Sequence, residues 1–553
     1  MGLIYKRNHA RSRRIPAMST VSRRPRRITP TSIIAERSVA ANATIVAAAY
    51  VVSRVLGLLR EVLIARQFGT SPNYDAYVAA FKIPDLLFLV VMSGAFGSAF
   101  IPVFGGFLGR GEHQRAWRLA SSVLTYTIAV LLGGGIVVFI FASPVMRYIV
   151  APGLAPPQQE LATNLTRLLL FSPLLLGIGA AGKGMLEAHD AFTVSAIAPI
   201  LYNVGIIIGA IFFAPHLGVY GLAVGVIGGA FGHASIQMVA LFRRGLRFNP
   251  SFSRQVDGLA QVARLMGPRL LGQAAFQVNF IVMTNFASRL GASRVSALNY
   301  ANQLFMLPHG ILALSISTVI FPTMARQFEL GLTRELRRTL SGALAPLLFL
   351  TIPASIGLFM FRVSIVQILF QFGSFSSQST DLVANALKFF SLGLLAFAVV
   401  ETVTRAFYAM HDTRTPVIAS LVTIAVNVAL SWILAPRLGE GGLALSIALT
   451  TTLEMTILLL VLIQRTGNFE AALYKQIGKM LLAGLALAAA SRLLAPLLAR
   501  ATDPIHGHTL VMYPAFFFTL AAVTSTYLAA SYYLRIPAMQ QMVSRVLAKL
   551  RRS

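Results

Sequence analysis

The segment Ala214-Pro215-His216-Leu217-Gly218-Val219-Tyr220-Gly221-Leu222-Ala223 returns as Ala435-Pro436-Arg437-Leu438-Gly439-Glu440-Gly441-Gly442-Leu443-Ala444, about 221 residues later. A repeat on this scale requires a fold made of two related halves. Glu187-Ala188-His189-Asp190 is echoed by Ala409-Met410-His411-Asp412, and each is followed by an asparagine, Asn203 and Asn427. Gly69 and Gly291 form a third pair, each ahead of a proline, Pro84 and Pro308.

The solvent of this duplicated chain is lipid. Hydrophobic residues make up 56% and charged residues 12%, with a mean hydropathy of +0.72. The apolar runs are about 20 residues long and do not alternate, which calls for helices whose backbone groups are satisfied internally. The sequence therefore predicts an all-α polytopic membrane protein of about 14 transmembrane helices, two parallel six-helix repeats plus two C-terminal helices. The expected divisions are a basic disordered tail at 1–37, repeats at 38–247 and 258–468, two extra helices at 470–536 and a basic tail at 537–553. Cysteine is absent, which excludes disulfides and thiolate chemistry.

A formal charge of +29 invites a nucleic-acid reading, but the arginines follow topology instead. Alternate loops carry Arg110, Arg115, Arg118, Arg243, Arg244, Arg326, Arg334 and Arg414, whereas the opposite loops carry chiefly Arg147, Arg289, Arg294 and Arg500. The positive-inside rule then puts both termini in the cytoplasm, with membrane lipids and no nucleic acid as partners. No Gly-x-x-x-x-Gly-Lys loop or metal-spaced histidine pair is present, so neither nucleotide hydrolysis, a metal, nor any other cofactor is expected.

Several charges fall inside the spans. Ser53-Arg54-Val55-Leu56-Gly57-Leu58-Leu59-Arg60-Glu61 lies in the first, and Asp75, Lys82 and Asp85 surround Pro84 in the second. A central charge costs about 2.5–3.5 kcal/mol on insertion scales, so such groups face protein or a watery cavity. Arg54 and Glu61 stand seven apart, about 20° from one helical face, as do Asp75 and Lys82. The acids and bases can neutralise one another, or a surplus cation can hold an anionic headgroup. Arginine suits the second task because its planar fork donates bidentately to phosphate and keeps its charge when desolvated. Pro84 and Pro308 each remove a backbone donor, making them candidate hinges.

At these residues the chain resembles the MurJ (MviN) family of lipid II flippases, within the multidrug/oligosaccharidyl-lipid/polysaccharide exporter superfamily. The resemblance rests on Ser53-Arg54-Val55-Leu56-Gly57, Arg60, Ala65-Arg66, Phe68-Gly69, Asp75-Ala76, Phe81-Lys82-Ile83-Pro84, Gly94-Ala95-Phe96 and Ala99-Phe100-Ile101-Pro102. A weaker match continues through Met266-Gly267-Pro268, Pro308-His309-Gly310, Pro322 and Thr413-Arg414-Thr415-Pro416. It implies a non-enzymatic transporter that moves undecaprenyl-pyrophosphate-linked peptidoglycan precursor to the outer leaflet by alternating access. It also implies that Arg54, Arg60 and Lys82 hold the headgroup, with Asp75 as their acidic partner. Phe88, Leu89 and Ser93 depart from the family pattern, and Asn302-Gln303 replaces its usual Asp-Arg. Arg269 and Arg294 are the candidates to compensate. Coupling to the membrane potential or to a monovalent cation is the expected drive. Asn427 and Ser431 share a face but bring no carboxylate cluster for a hard cation. A polysaccharide-lipid flippase and a multidrug antiporter are the alternatives.

Overall fold

The computed structural model describes residues 30–92, 95–253, 255–502 and 509–550. Residues 1–29 of the expected N-terminal tail and 551–553 of the C-terminal one lie outside the described residues. The first half comprises α1 (Pro30–Phe68), α2 (Pro72–Ala80), α3 (Lys82–Met92), α4 (Ala95–Gly109), α5 (His113–Pro144), α6 (Pro156–Leu169), α7 (Phe171–Ala188), α8 (Phe192–Ile208), α9 (Ala214–Leu217) and α10 (Val219–Phe242). The second comprises α11 (Leu259–Arg289), α12 (Arg294–Glu329), α13 (Thr333–Met360), α14 (Arg362–Phe370), α15 (Ser377–Ala409), α16 (Arg414–Leu438) and α17 (Glu440–Thr466). α18 (Ala471–Thr502), α19 (Thr509–Tyr533) and α20 (Pro537–Leu550) follow. Among the described residues, eleven helical segments are long and apolar enough to cross a membrane. The chain is thus an all-α polytopic membrane protein. α1 and α11, of 39 and 31 residues, open the two halves.

The duplicated sequence adopts duplicated backbone. Gly218 has φ 58° and ψ −138°, and Gly439 has φ 60° and ψ −139°. These are left-handed conformations that a side chain would strain, so glycine stands at both turns. The His-Asp echo needs a correction of one residue. Asp190 (φ 57°) corresponds in conformation to His411 (φ 58°), not to Asp412. The next amide in each copy closes the same turn, Ala191 onto the Leu186 carbonyl and Asp412 onto that of Phe407. Backbone geometry therefore keeps the offset of about 221 where matching letters suggest one more.

The two halves meet closely at one end of the bundle, where α1, α5 and α11 finish and α2, α6, α12 and α15 begin. There the Thr70 and Ser379 hydroxyls are 2.8 Å apart. The Ser374 amide donates to the Arg66 carbonyl at 2.8 Å. The Gly153 amide donates to Ser288 Oγ at 3.1 Å, and Asn285 Nδ2 donates to the Ile149 carbonyl at 2.6 Å. Tyr74 stacks on Tyr300, which in turn packs on Phe370 and Phe375 within a shared core. This is also the arginine-poor end. α18 and α19 add to a separate core on the second half, with Tyr527 Oη donating to the Phe349 carbonyl at 2.9 Å.

Candidate functional site

Between the halves lies a cavity of about 230 Å³. α1 contributes Ser53, Arg54, Gly57, Arg60 and Glu61, α8 contributes Asn203, and α12 and α14 contribute Gln303, Leu304, Leu307 and Phe370. The two arginines of α1 have different fates. Arg60 donates from Nε and Nη2 to Glu61 Oε1, at 3.2 and 2.6 Å, and from Nη1 to Asn203 Oδ1 at 3.1 Å. Asn203 in turn donates to the Ser53 carbonyl and hydroxyl and to the Pro199 carbonyl. Every guanidinium nitrogen of Arg60 therefore has a protein acceptor, and its charge is neutralised by the adjacent acid.

Arg54 is exposed to the cavity and makes no ion pair or hydrogen bond among the described residues. Its guanidinium reaches across to the second half and lies against Gly310 of α12. A Cβ built on Gly310 would stand 3.1 and 3.2 Å from the two Nη atoms. Any side chain here would make the charged fork shift, so glycine favours this close approach to the backbone. Arg54 is the surplus cation of the chamber.

Lys82 does not join the arginines. It opens α3 just beyond the break at Phe81 and lines a separate cavity of about 20 Å³ with Thr284, Asn299 and Asn302. Its ammonium lies 5.9 Å from the Phe280 ring centroid, a weak cation–π contact. Asn302 faces this cavity and Gln303 the larger one, so adjacent residues of α12 line the two polar spaces.

Asp75 lines neither cavity, and in this conformation it is not the acidic partner of the cations. Fully buried, it accepts the amides of Ser293 at 2.5 Å and Ser296 at 2.7 Å. These are unpaired donors at the start of α12, where a carboxylate satisfies the free N–H groups and opposes the helix dipole. A residue of the first half thus caps a helix of the second. From the other side, Glu440, also buried, accepts from Arg294 and from Asn385 Nδ2 at 2.8 Å. Arg294 is therefore engaged and does not supply the cavity with a free cation; the side chain of Arg269 lies outside the described residues.

The two prolines act differently. Ahead of Pro84 the helix is interrupted at Phe81, and the Asp85 amide resumes pairing with the Phe81 carbonyl at 2.8 Å. Pro308 sits inside an unbroken α12. Asn427 bonds to Asn279 of α11 at 2.5 Å and accepts from Ser431 and Ser446. Span five therefore ties back to span one in each half, through charge in the first copy (Asn203 to Arg60) and through neutral amides in the second. No group of three or more metal-ligating side chains occurs among the described residues. The sequence marked Asn203 and Glu440 only as parts of the repeat and Gly310 only as part of a family motif, not as site residues. Glu440 left one trace, since an acid stands there where the first copy has Val219.

Two helical halves around a polar chamber, joined tightly at one end, define a two-lobed membrane transporter. A family model described as lipid II flippase MurJ matches residues 64–505. That match begins beyond Arg60, so it does not depend on the chamber arginines. The probable lipid II flippase MurJ of Buchnera aphidicola is 32% identical over 423 residues, 75% of this chain and 82% of that protein. The lipid II flippase MurJ of Burkholderia cenocepacia is 32% identical over 424 residues, 75% and 81% of the two chains. The chain belongs to the lipid II flippase MurJ family. Among solved structures, a lipid II flippase MurJ in an inward closed conformation superposes with a TM-score of 0.72 at 24% identity, covering 89% of this chain and 99% of that one. An inward-facing multidrug resistance MATE family transporter of the MOP superfamily gives 0.64 at 16% identity, covering 76% and 96%. These last two are likenesses of fold.

Proposed function

We propose that this protein carries lipid II, the lipid-linked peptidoglycan precursor, from the inner to the outer leaflet of the cell inner membrane by alternating access. The observation that carries this reading is Arg54, an unpaired guanidinium facing a cavity between the halves of a chain in this family. Such a group binds pyrophosphate oxygens bidentately without losing its charge. The arginine distribution orients both termini to the cytoplasm, so the tightly joined end faces outward and the chamber is reached from the cytoplasmic side. At about 230 Å³ it is smaller than the roughly 300–1,000 Å³ of pockets that enclose drug-sized ligands. It accommodates a compact anionic group, and the glycopeptide head requires the halves to part. The protein makes and breaks no bonds; Arg54 attracts the head, while Arg60, held by Glu61 and Asn203, and Lys82 act after the halves rearrange. The drive is the membrane potential or a monovalent cation.

A leaflet-resolved assay of lipid II tests this in cells depleted of the protein and lacking redundant flippases. Outer-leaflet precursor should fall and inner-leaflet precursor accumulate. An unchanged distribution rejects the reading in favour of another lipid-linked cargo or a multidrug substrate.

A further inference from the structure

The residue beside the Arg54 contact is His309, and nothing described so far uses it. It is about nine-tenths buried, and its Nδ1 has no hydrogen-bond partner. A buried ring nitrogen without a partner forgoes its hydration for nothing in return, so its presence in a helix interface calls for an explanation. Its ring packs against that of Phe397 of α15 in a T-shaped pair, with centroids 5.9 Å apart. Two charges act on the ring, one from each half of the molecule. From α15 comes Glu401, which Arg405 also holds at 2.9 Å, and from α1 comes Arg54. α2, α11, α13 and α17, which also pack on α12, bring no charge that acts on the ring among the described residues.

These charges pull a protonated ring in one direction. An imidazolium at position 309 is attracted to Glu401 within its own half and repelled by Arg54 of the other. Arg54 is in contact with the adjacent residue, Gly310. We propose that His309 is a proton-binding site that couples proton uptake to separation of α1 from α12. With the ring neutral, Arg54 rests on Gly310 and the halves stay together at mid-depth. A proton taken from water in the chamber onto the ring nitrogen that lacks one places two cations side by side, and Arg54 moves off. By linkage, moving Arg54 off Gly310 favours protonation to the same degree. Histidine suits this task because its unperturbed transition lies within the physiological range. The inference supplies one form of the monovalent-cation drive. It rests on the two halves moving apart, not on the identity of the cargo.

The chain has no cysteine, so a single introduced pair reports the separation without background. The full-length protein bearing Leu58→Cys and Leu307→Cys, which line the chamber from opposite halves, is placed in nanodiscs without lipid II. Spin-label distances are then measured between about pH 5 and pH 8. In the parent the long-distance population should rise several-fold on acidification, and His309→Gln and His309→Ser should each give a flat profile. A thermal melt of both variants confirms that they are folded. A parent profile independent of pH, or variants that retain the parent profile, would overturn the proposal. Because no lipid II is present, either result stands apart from the leaflet assay.

Discussion

Asp75 accepts the amide of Ser293 at 2.5 Å, and through this bond a carboxylate of one half terminates a helix of the other. Ser293 itself has φ 71°, and its side chain makes no capping bond, so the cap that α12 needs arrives from α2. The cap holds only while the two halves are together at this end. Opening that end requires the first-turn amides of α12 to find other partners, which makes Asp75 part of the closure.

Asp75→Ala should loosen this closure. Loss of a capping carboxylate costs about 0.5–2 kcal/mol. A Thr70→Cys and Ser379→Cys pair, whose native hydroxyls are 2.8 Å apart, reports the outcome as disulfide yield. The yield should fall clearly in Asp75→Ala and less in Asp75→Asn, which keeps an acceptor. Equal yields in all three would show that the cap does not contribute to closure.

Arg54 and Arg60 should separate transport from stability. Arg54→Ala removes a cation that holds no protein partner, so transport should be lost while the thermal midpoint stays near that of the parent. Arg60→Ala leaves Glu61 and Asn203 without their donor, and stranding a largely buried carboxylate costs about 3 kcal/mol. Both transport and thermal stability should fall. A stable, active Arg54→Ala protein would remove Arg54 from the headgroup site.

Gly310 should be sensitive to the size of its replacement. An added Cβ stands 3.1–3.3 Å from the Arg54 guanidinium, tight enough that this long side chain must shift. Gly310→Ala should lower flipping modestly, whereas Gly310→Leu should drive Arg54 away and approach the loss seen for Arg54→Ala. The leaflet assay measures both. If Gly310→Leu flips at the parental rate, the contact has no part in transport.

The first turn of α16 should weaken in acid. Partial burial works against the charge of Asp412, but hydrogen bonds from Thr415 and the Arg465 guanidinium outweigh it and hold the carboxyl below its usual range. A depressed carboxyl contributes fully above its unfolded value, about pH 4, and the contribution disappears as pH falls through the lower folded value. Hydrogen-exchange protection of Arg414 and Thr415, whose amides donate to Asp412 Oδ1 at 2.9 and 3.0 Å, should decline in that window. In Asp412→Ala it should already be low at neutral pH and change little on acidification.

Helical class, duplication and the charged stripe of α1 were legible in the chain because each is a local or periodic property. Twenty-residue apolar runs leave lipid-exposed backbone no alternative to helices, and a glycine at both Gly218 and Gly439 marks the same left-handed turn wherever it occurs. The sequence also singled out Arg54 and Arg60 by the cost of a charge in a span. It had no means to tell them apart, since they differ by partners supplied from other helices. Arg60 is neutralised because α8 brings Asn203 beside the neighbouring Glu61, while Arg54 stays free because α12 presents Gly310 at its tip. For the same reason Asp75 is a helix cap and Lys82 belongs to a different cavity. Spacing along one helix gives the direction of a side chain, but which charges are cancelled depends on contacts between residues as far apart as Asp75 and Ser296. Only the packing of one half against the other decided them.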